Sequence, residues 1–163
     1  ITAFSRGSDW MVGRPPFVAA TACAGLVAPA GDAHEVVLFF SGAGMSRWMG
    51  FGADVLATHG VRLIGAERPG LGASDPAPHR TLGDWAEDVR HFAEARRLPP
   101  FAVVGFSQGA PFALACAAAG LARAAAVVSG TDELAHPAFA GALHPDVLAM
   151  IKDAAADPAA FES

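Results

Sequence analysis

Phe101-Ala102-Val103-Val104-Gly105-Phe106-Ser107-Gln108-Gly109-Ala110 is an apolar run that ends in G-x-S-x-G, and an alanine-rich stretch follows it. A strand that turns sharply into a helix needs small residues on both sides of the turn. The residue at the apex is then held strained, with its side chain above the sheet. A helix starting near Gln108 would aim its free N–H groups and the positive end of its dipole at the Ser107 hydroxyl. Ser107 is therefore the candidate nucleophile; the bland alternative is a structural turn serine.

Working outward, the apolar run Val36–Phe40 predicts a strand covered on both faces, followed by the loop Ser41–Gly44. A helix is expected over Ser46–His59, with Trp48, Phe51, Val55 and Leu56 inward and Gly60 as its stop. Val61–Gly65 reads as the next strand, and Glu67–His79 as a loop rich in Gly and Pro. Thr81 with Asp84 resembles a capping box. The helix it opens should reach Arg97, with Trp85, Val89, Phe92, Ala93 and Arg96 at helical spacing. Pro111 is tolerated in the first turn of the helix after Ser107, which Gly120 closes. Ala124–Val128 predicts another strand, and Pro145–Asp153 a short helix.

Strands alternating with helices imply an α/β fold, a mostly parallel doubly wound sheet with helices on both faces. Functional groups then lie beyond the carboxyl ends of the strands. The loops Ser41–Ser46, Glu67–Asp75, Ser107 and Ser129–Asp132 are such ends.

The 163 residues, 53% hydrophobic and 17% charged, bound the function classes. A net charge of −5 and a single lysine, Lys152, argue against a nucleic-acid surface. No apolar run reaches membrane-spanning length. Phe17–Ala30, after Arg14, is somewhat like a signal peptide ending at Ala28-Pro29-Ala30. Asp9 and Trp10 before it and Gly25 within it favour strands at the sheet edge, Phe17–Thr21 and Ala24–Ala28, and a cytoplasmic protein. Cys23 and Cys116 make no disulfide framework, and Cys116 reads as a small buried thiol. No metal-ligand spacing occurs, and neither metal nor cofactor is expected. The chain opens at Ile1, as a processed or excised piece would.

The order of Ser41-Gly42-Ala43-Gly44, then Arg68-Pro69-Gly70-Leu71-Gly72-Ala73-Ser74, then Gly105-Phe106-Ser107-Gln108-Gly109 resembles the α/β-hydrolase superfamily. The likeness covers about Val36 to Asp132 and is closest to serine-nucleophile members similar to prolyl iminopeptidases and haloperoxidase-like esterases. It implies that Ser107 is the nucleophile, that the backbone N–H groups of Ala43 and Gln108 form the oxyanion hole, and that the Arg68–Ser74 loop braces the site. The substrate would be a small acyl compound. Ser41-Gly42 stands where the family commonly has His-Gly, and Glu67 where it usually has aspartate. Serine at 107 disfavours the branches that use aspartate there.

The resemblance also implies an acid and a histidine on later strands. The sequence stops at Ser163, inside the region expected to be a lid, so residues 1–132 are read as the N-terminal part of the core and 133–163 as the start of the lid. Asp132 is the acid candidate, although a loop role competes. His136 and His144 read as surface or substrate-lining residues before they read as bases. The expected pocket wall includes Met45, Trp48, Phe106 and residues after Asp132. Two other readings stand beside the hydrolase. One is a non-catalytic fragment or one part of a two-chain assembly, because Ala124–Val128 would be an open apolar edge inviting a second copy or a complementary chain. The other is a dinucleotide-binding domain, from Gly42-Ala43-Gly44 after a strand and Glu67 ending the next; Arg47 at the third-glycine position opposes it.

Overall fold

The computed structural model describes residues 25–27 (backbone only), 34–49, 51–71, 74–75, 77–130, 136–139 and 141–157. The expected strand Phe17–Thr21 and Asp132 lie outside them. The chain forms two compact units, Ile1–Gly130 and Thr131–Ser163.

The first unit holds a sheet of five strands: β1 (Gly25–Val27), β2 (Glu35–Phe40), β3 (Val61–Ala66), β4 (Phe101–Phe106) and β5 (Ala124–Val128). Their order is β1-β3-β2-β4-β5. β1 pairs antiparallel with β3, and the other pairs are parallel. Parallel neighbours need helical crossovers, and a right-handed crossover puts its helix on the face set by its direction of travel. The chain moves from β2 outward to β3, then back across β2 to β4 and on to β5. The connections leaving β2 and β4 therefore diverge, and the carboxyl ends of these adjacent strands flank a crevice. Ser41 and Ser107 follow those two ends.

The helices are α1 (Ala53–Thr58), α2 (Leu82–Ala95) and α3 (Ala110–Ala118). At the start of α2 the Thr81 hydroxyl accepts the Asp84 N–H and the Asp84 carboxylate accepts the Thr81 N–H, the expected capping box. Trp85 and Val89 are buried, and Phe92 and Ala93 pack against the core. The helix stops at Ala95, short of the expected Arg97, and Arg96 caps it, exposed, with its guanidinium over the Phe92 ring. The core joins Val36, Leu38 and Phe40 of β2 to Ile64, Val103, Trp85 and Cys116. Trp85 meets Phe40 and Phe112 edge to face, at ring-centroid distances of 5.2 and 5.4 Å.

The helix expected over Ser46–His59 is the main correction. Only Ala53–Thr58 is helical, because Gly52 adopts a left-handed φ of 58° that starts the helix late. Residues 46–49 stay in the loop. Trp48 is 65% exposed, and Phe51 and Val55 are also exposed rather than inward. Phe51 still touches the sheet, edge to face with Phe39 at 5.1 Å.

In the second unit, α4 (Pro145–Ala156) begins with proline at a position whose N–H has no helical partner. His144 caps it, its Nδ1 accepting the Asp146 N–H at 3.3 Å. Among the described residues no helix is long and apolar enough to cross a membrane.

Among the described residues β5 pairs with β4 alone, and all five of its residues are exposed, Val127 by 45% and Val128 by 47%. An apolar strand with one unpaired ladder is a template for another strand. The chain should therefore self-associate in gel filtration at micromolar concentration, and Val127→Lys should shift it toward monomer. A well-folded wild-type monomer would refute this.

Burial raises the Cys116 thiol to about 11; the Trp85 indole opposes the rise without closing a hydrogen bond of ordinary geometry. The unfolded chain, with its thiol near 9.0, then loses this proton first. The thiol's contribution to stability is intact below about pH 9 and falls as pH rises toward 11. In a Cys23→Ser background, iodoacetamide should fail to modify Cys116 in the folded chain and should modify it readily in denaturant. Equal rates in the two states would show that the thiol is not shielded.

Candidate active site

Three backbone segments meet where β2 and β4 end, and glycine lets them. A side chain at Gly105 would place its Cβ 2.5 Å from the Gly109 carbonyl oxygen and 2.7 Å from the Ala110 Cα. A Cβ at Gly109 would overlap the Phe40 carbonyl oxygen. The chain thus doubles back on itself after β4, and the start of α3 rests directly on the end of β2. Ser107 sits at the apex of this turn with φ of 51°. That region is uncommon for a residue with a side chain and costs on the order of 1–3 kcal/mol. Ser107 is half-buried and opens a short 3₁₀ turn, Ser107–Gly109, that leads into α3.

The loop after β2 lies against this serine. A Cβ at Gly42 would stand 3.0 Å from the Ser107 Cβ and 3.4 Å from the Phe106 ring. Ala43 follows in an exposed turn, and Gly44 completes it with φ of 64°. Gln108, also exposed, follows Ser107. Ser107, Gln108 and the Gly42–Ala43 backbone thus share one rim of the sheet.

Two consecutive residues at the end of β3 hold that loop. Glu67 is 2% exposed, and its carboxylate pairs with the Arg47 guanidinium. Its other oxygen accepts the Arg47 backbone N–H at 3.4 Å. Arg68 reaches the other end of the loop, its Nη2 donating to the Gly42 carbonyl at 3.2 Å. Its guanidinium also lies 5.0 Å from the centre of the Phe112 ring on α3. Arg47, weighed in the sequence only as an obstacle to dinucleotide binding, proves to be an anchor. Its backbone carbonyl would lie 2.9 Å from a Cβ at Gly65, so Gly65 is small because the loop crosses it there.

A cavity of about 410 Å³ opens beside Gln108. Its walls include Arg68, Leu71, Arg80, Trp85 and Phe112, not the Met45, Trp48 and Phe106 wall that was expected. Met45 and Trp48 are exposed on the loop after β2. Asp132 falls outside the described residues. His136 and His144 have local tasks, accepting the N–H groups of Ala138 (3.2 Å) and Asp146 (3.3 Å). Among the described residues no group of three or more His, Cys, Asp or Glu side chains could hold a metal ion.

Comparison with known proteins accords with this fold. The chain is similar in structure to the esterase EaEST from Exiguobacterium antarcticum, with TM-score 0.57 and 19% identity over 86% of this chain and 55% of that one. It is also similar to the alpha/beta hydrolase GrgF from Penicillium sp. sh18, with TM-score 0.57 and 22% identity over 83% and 48%. Mouse alpha/beta hydrolase domain-containing protein 10 aligns with TM-score 0.55 and 22% identity over 83% and 55%. The chain spans about half the length of these structures. No curated protein matches the sequence. The family profile for the alpha/beta hydrolase fold matches residues 35–150, a stretch that runs from β2 into the first half of α4, and the chain belongs to that family.

Proposed function

We propose that the protein is a serine hydrolase that cleaves an ester, amide or similar acyl bond of a small substrate. The observation that carries this reading is the left-handed φ of 51° at Ser107, beside a glycine backbone that approaches its Cβ. A non-glycine residue keeps such a conformation only where surrounding packing holds it, and such residues cluster at active sites. In the proposed reaction the Ser107 oxygen attacks the acyl carbon and its proton passes to a general base. The carbonyl oxygen becomes an oxyanion held by the N–H groups of Ala43 and Gln108. The leaving group departs with the proton, and water then hydrolyses the acyl-serine. The proposed base is a histidine supplied from outside these residues; the Nδ1 atoms of His136 and His144 serve as local hydrogen-bond acceptors. Asp132 stays the candidate acid, and residues 133–163 the proposed start of a lid.

The exposed β5 edge favours a second reading, in which this chain is one part of a two-chain assembly and is inactive until the edge is covered. Both readings place the chemistry at Ser107. A fluorophosphonate should label the complete protein at Ser107, and Ser107→Ala should abolish the label. Labelling that survives this substitution, or no labelling of the complete protein, would refute the hydrolase.

The Glu67 clamp yields a separate expectation. Glu67→Gln keeps the side-chain shape but leaves Arg47 a poorly compensated cation, which should cost about 2 kcal/mol of stability. Labelling should also slow about tenfold, because a displaced oxyanion donor costs roughly that or more. An unchanged labelling rate in folded Glu67→Gln would show that the clamp does not set the loop.

A further inference from the structure

Two guanidinium groups line the 410 Å³ cavity beside Gln108, and the protein treats them differently. Arg80 is answered: it pairs with the Asp88 carboxylate and donates to the Asp84 carbonyl at 3.0 Å. Arg68 is not. It donates to the Gly42 carbonyl and stacks on Phe112, but among the described residues no carboxylate pairs with it. Its Nε is buried without a hydrogen-bond partner. Arg68 is half-buried, and burial lowers its pKa from the ordinary arginine value, a sign that the charged form is partly desolvated. Arginine does not escape this by losing its proton. A partly desolvated cation gains from an anionic partner, because water no longer compensates its charge in full.

The other walls say what such an anion would be attached to. Leu71, Trp85 and Phe112 are apolar and suit a methylene chain, while Gln108 adjoins Ser107. Arg68 is itself one hydrogen bond from Gly42, whose backbone abuts Ser107. We propose that this cavity receives the acyl portion of the substrate and that its preferred occupant is anionic: a monoester or monoamide of a dicarboxylic acid, with its free carboxylate on Arg68. The assignment of the acyl portion rests on Ser107 being the nucleophile; the carboxylate preference does not. A carboxylate meets a guanidinium in a paired, charge-assisted geometry that a neutral chain end cannot reproduce. Arg68 is thus a specificity-determining residue as well as a brace for the loop.

The test compares hexanoate with hexanamide, nearly equal in shape and different in charge, by calorimetric titration of the full chain. Hexanoate should bind at least about tenfold more tightly, a factor worth about 1.4 kcal/mol. The preference should fall below about twofold in Arg68→Gln, remain in part in Arg68→Lys, and persist in Arg90→Gln, which removes one exposed positive charge on α2. Binding of the two compounds within twofold by the wild type, no binding of either, or a preference that survives Arg68→Gln would overturn the proposal. If Arg68→Gln does not fold, the arginine Nε–H resonances of the wild type decide, assigned with Arg68→Lys. The Arg68 signal should shift with hexanoate and not with hexanamide, and an equal response to both would overturn the proposal. Binding needs no nucleophile, so the two readings fail separately. Carboxylate preference without fluorophosphonate labelling would cost the hydrolase and keep the anion site; labelling without preference would do the reverse.

Discussion

The start of α3 can rest on the carbonyl of Phe40 only because position 109 has no Cβ, and the rest of the site depends on that contact. A side chain there would overlap the Phe40 oxygen and push the helix off the strand. The same closeness brings Ala110 over Gly105 and leaves Ser107 no relaxed backbone conformation between them. The strain, on the order of 1–3 kcal/mol, persists because both ends of the turn are pinned. Upstream, β4 is paired on both sides, by β2 and β5, with Val103 fully buried. Downstream, Ala110, Ala113 and Cys116 bury one face of α3. Relaxing Ser107 would mean lifting one of these, and burying a side chain of Val or Leu size is worth about 1.5–3 kcal/mol.

A second pinning acts from β3. Successive residues leaving a strand point in opposite directions, so neighbouring side chains can reach different targets. Glu67 goes to Arg47 and Arg68 to Gly42, which fixes both ends of the loop that faces Ser107. The two ties differ in electrical character. The buried carboxylate of Glu67 is matched by Arg47, so that tie adds little net field. Arg68 is tied to a neutral carbonyl and keeps its positive charge beside the candidate oxyanion loop. An oxyanion forming there would feel that charge in a partly dry environment, where charges interact more strongly than in water.

How much of this was legible follows from the range of each interaction. β2 and β4 were readable because strands packed inside a parallel sheet appear as continuous apolar runs, and the edge strand β5 because Ala124–Val128 is an uninterrupted apolar run even though its residues are exposed. α2 was readable because Thr81 and Asp84 interact locally. The start of α1 was not: apolar residues at 48, 51, 55 and 56 fit a helical period, but Gly52 broke it and the Arg47–Glu67 pair drew the preceding residues into a loop. That pair spans 20 positions and has no local signature. The turn at Ser107 was legible because glycines flank it at fixed spacing. The cavity wall was not, since Trp85 meets Phe112 through the packing of α2 against α3, and Leu71 and Arg80 join them from the loop after β3.

The sheet order explains why these features coincide at one place. With β2 and β4 adjacent and their following segments leaving in opposite directions, a crevice forms beside their carboxyl ends. Backbone N–H groups there lack strand partners, and the first turn of a helix adds more of them. A polar rim of this kind favours negative charge whatever side chains the loops carry. Those side chains then differentiate the site: Ser107 adds a hydroxyl held in a strained turn, and Arg68 adds a lasting positive charge that favours substrates carrying a negative group of their own. A charge that attracts the bound substrate and the developing oxyanion equally would tighten binding without speeding the reaction. Arg68 can serve both ends because its guanidinium spans from the Gly42 carbonyl at the loop to the Phe112 ring at the cavity wall, so a substrate carboxylate on the cavity side leaves the loop contact intact.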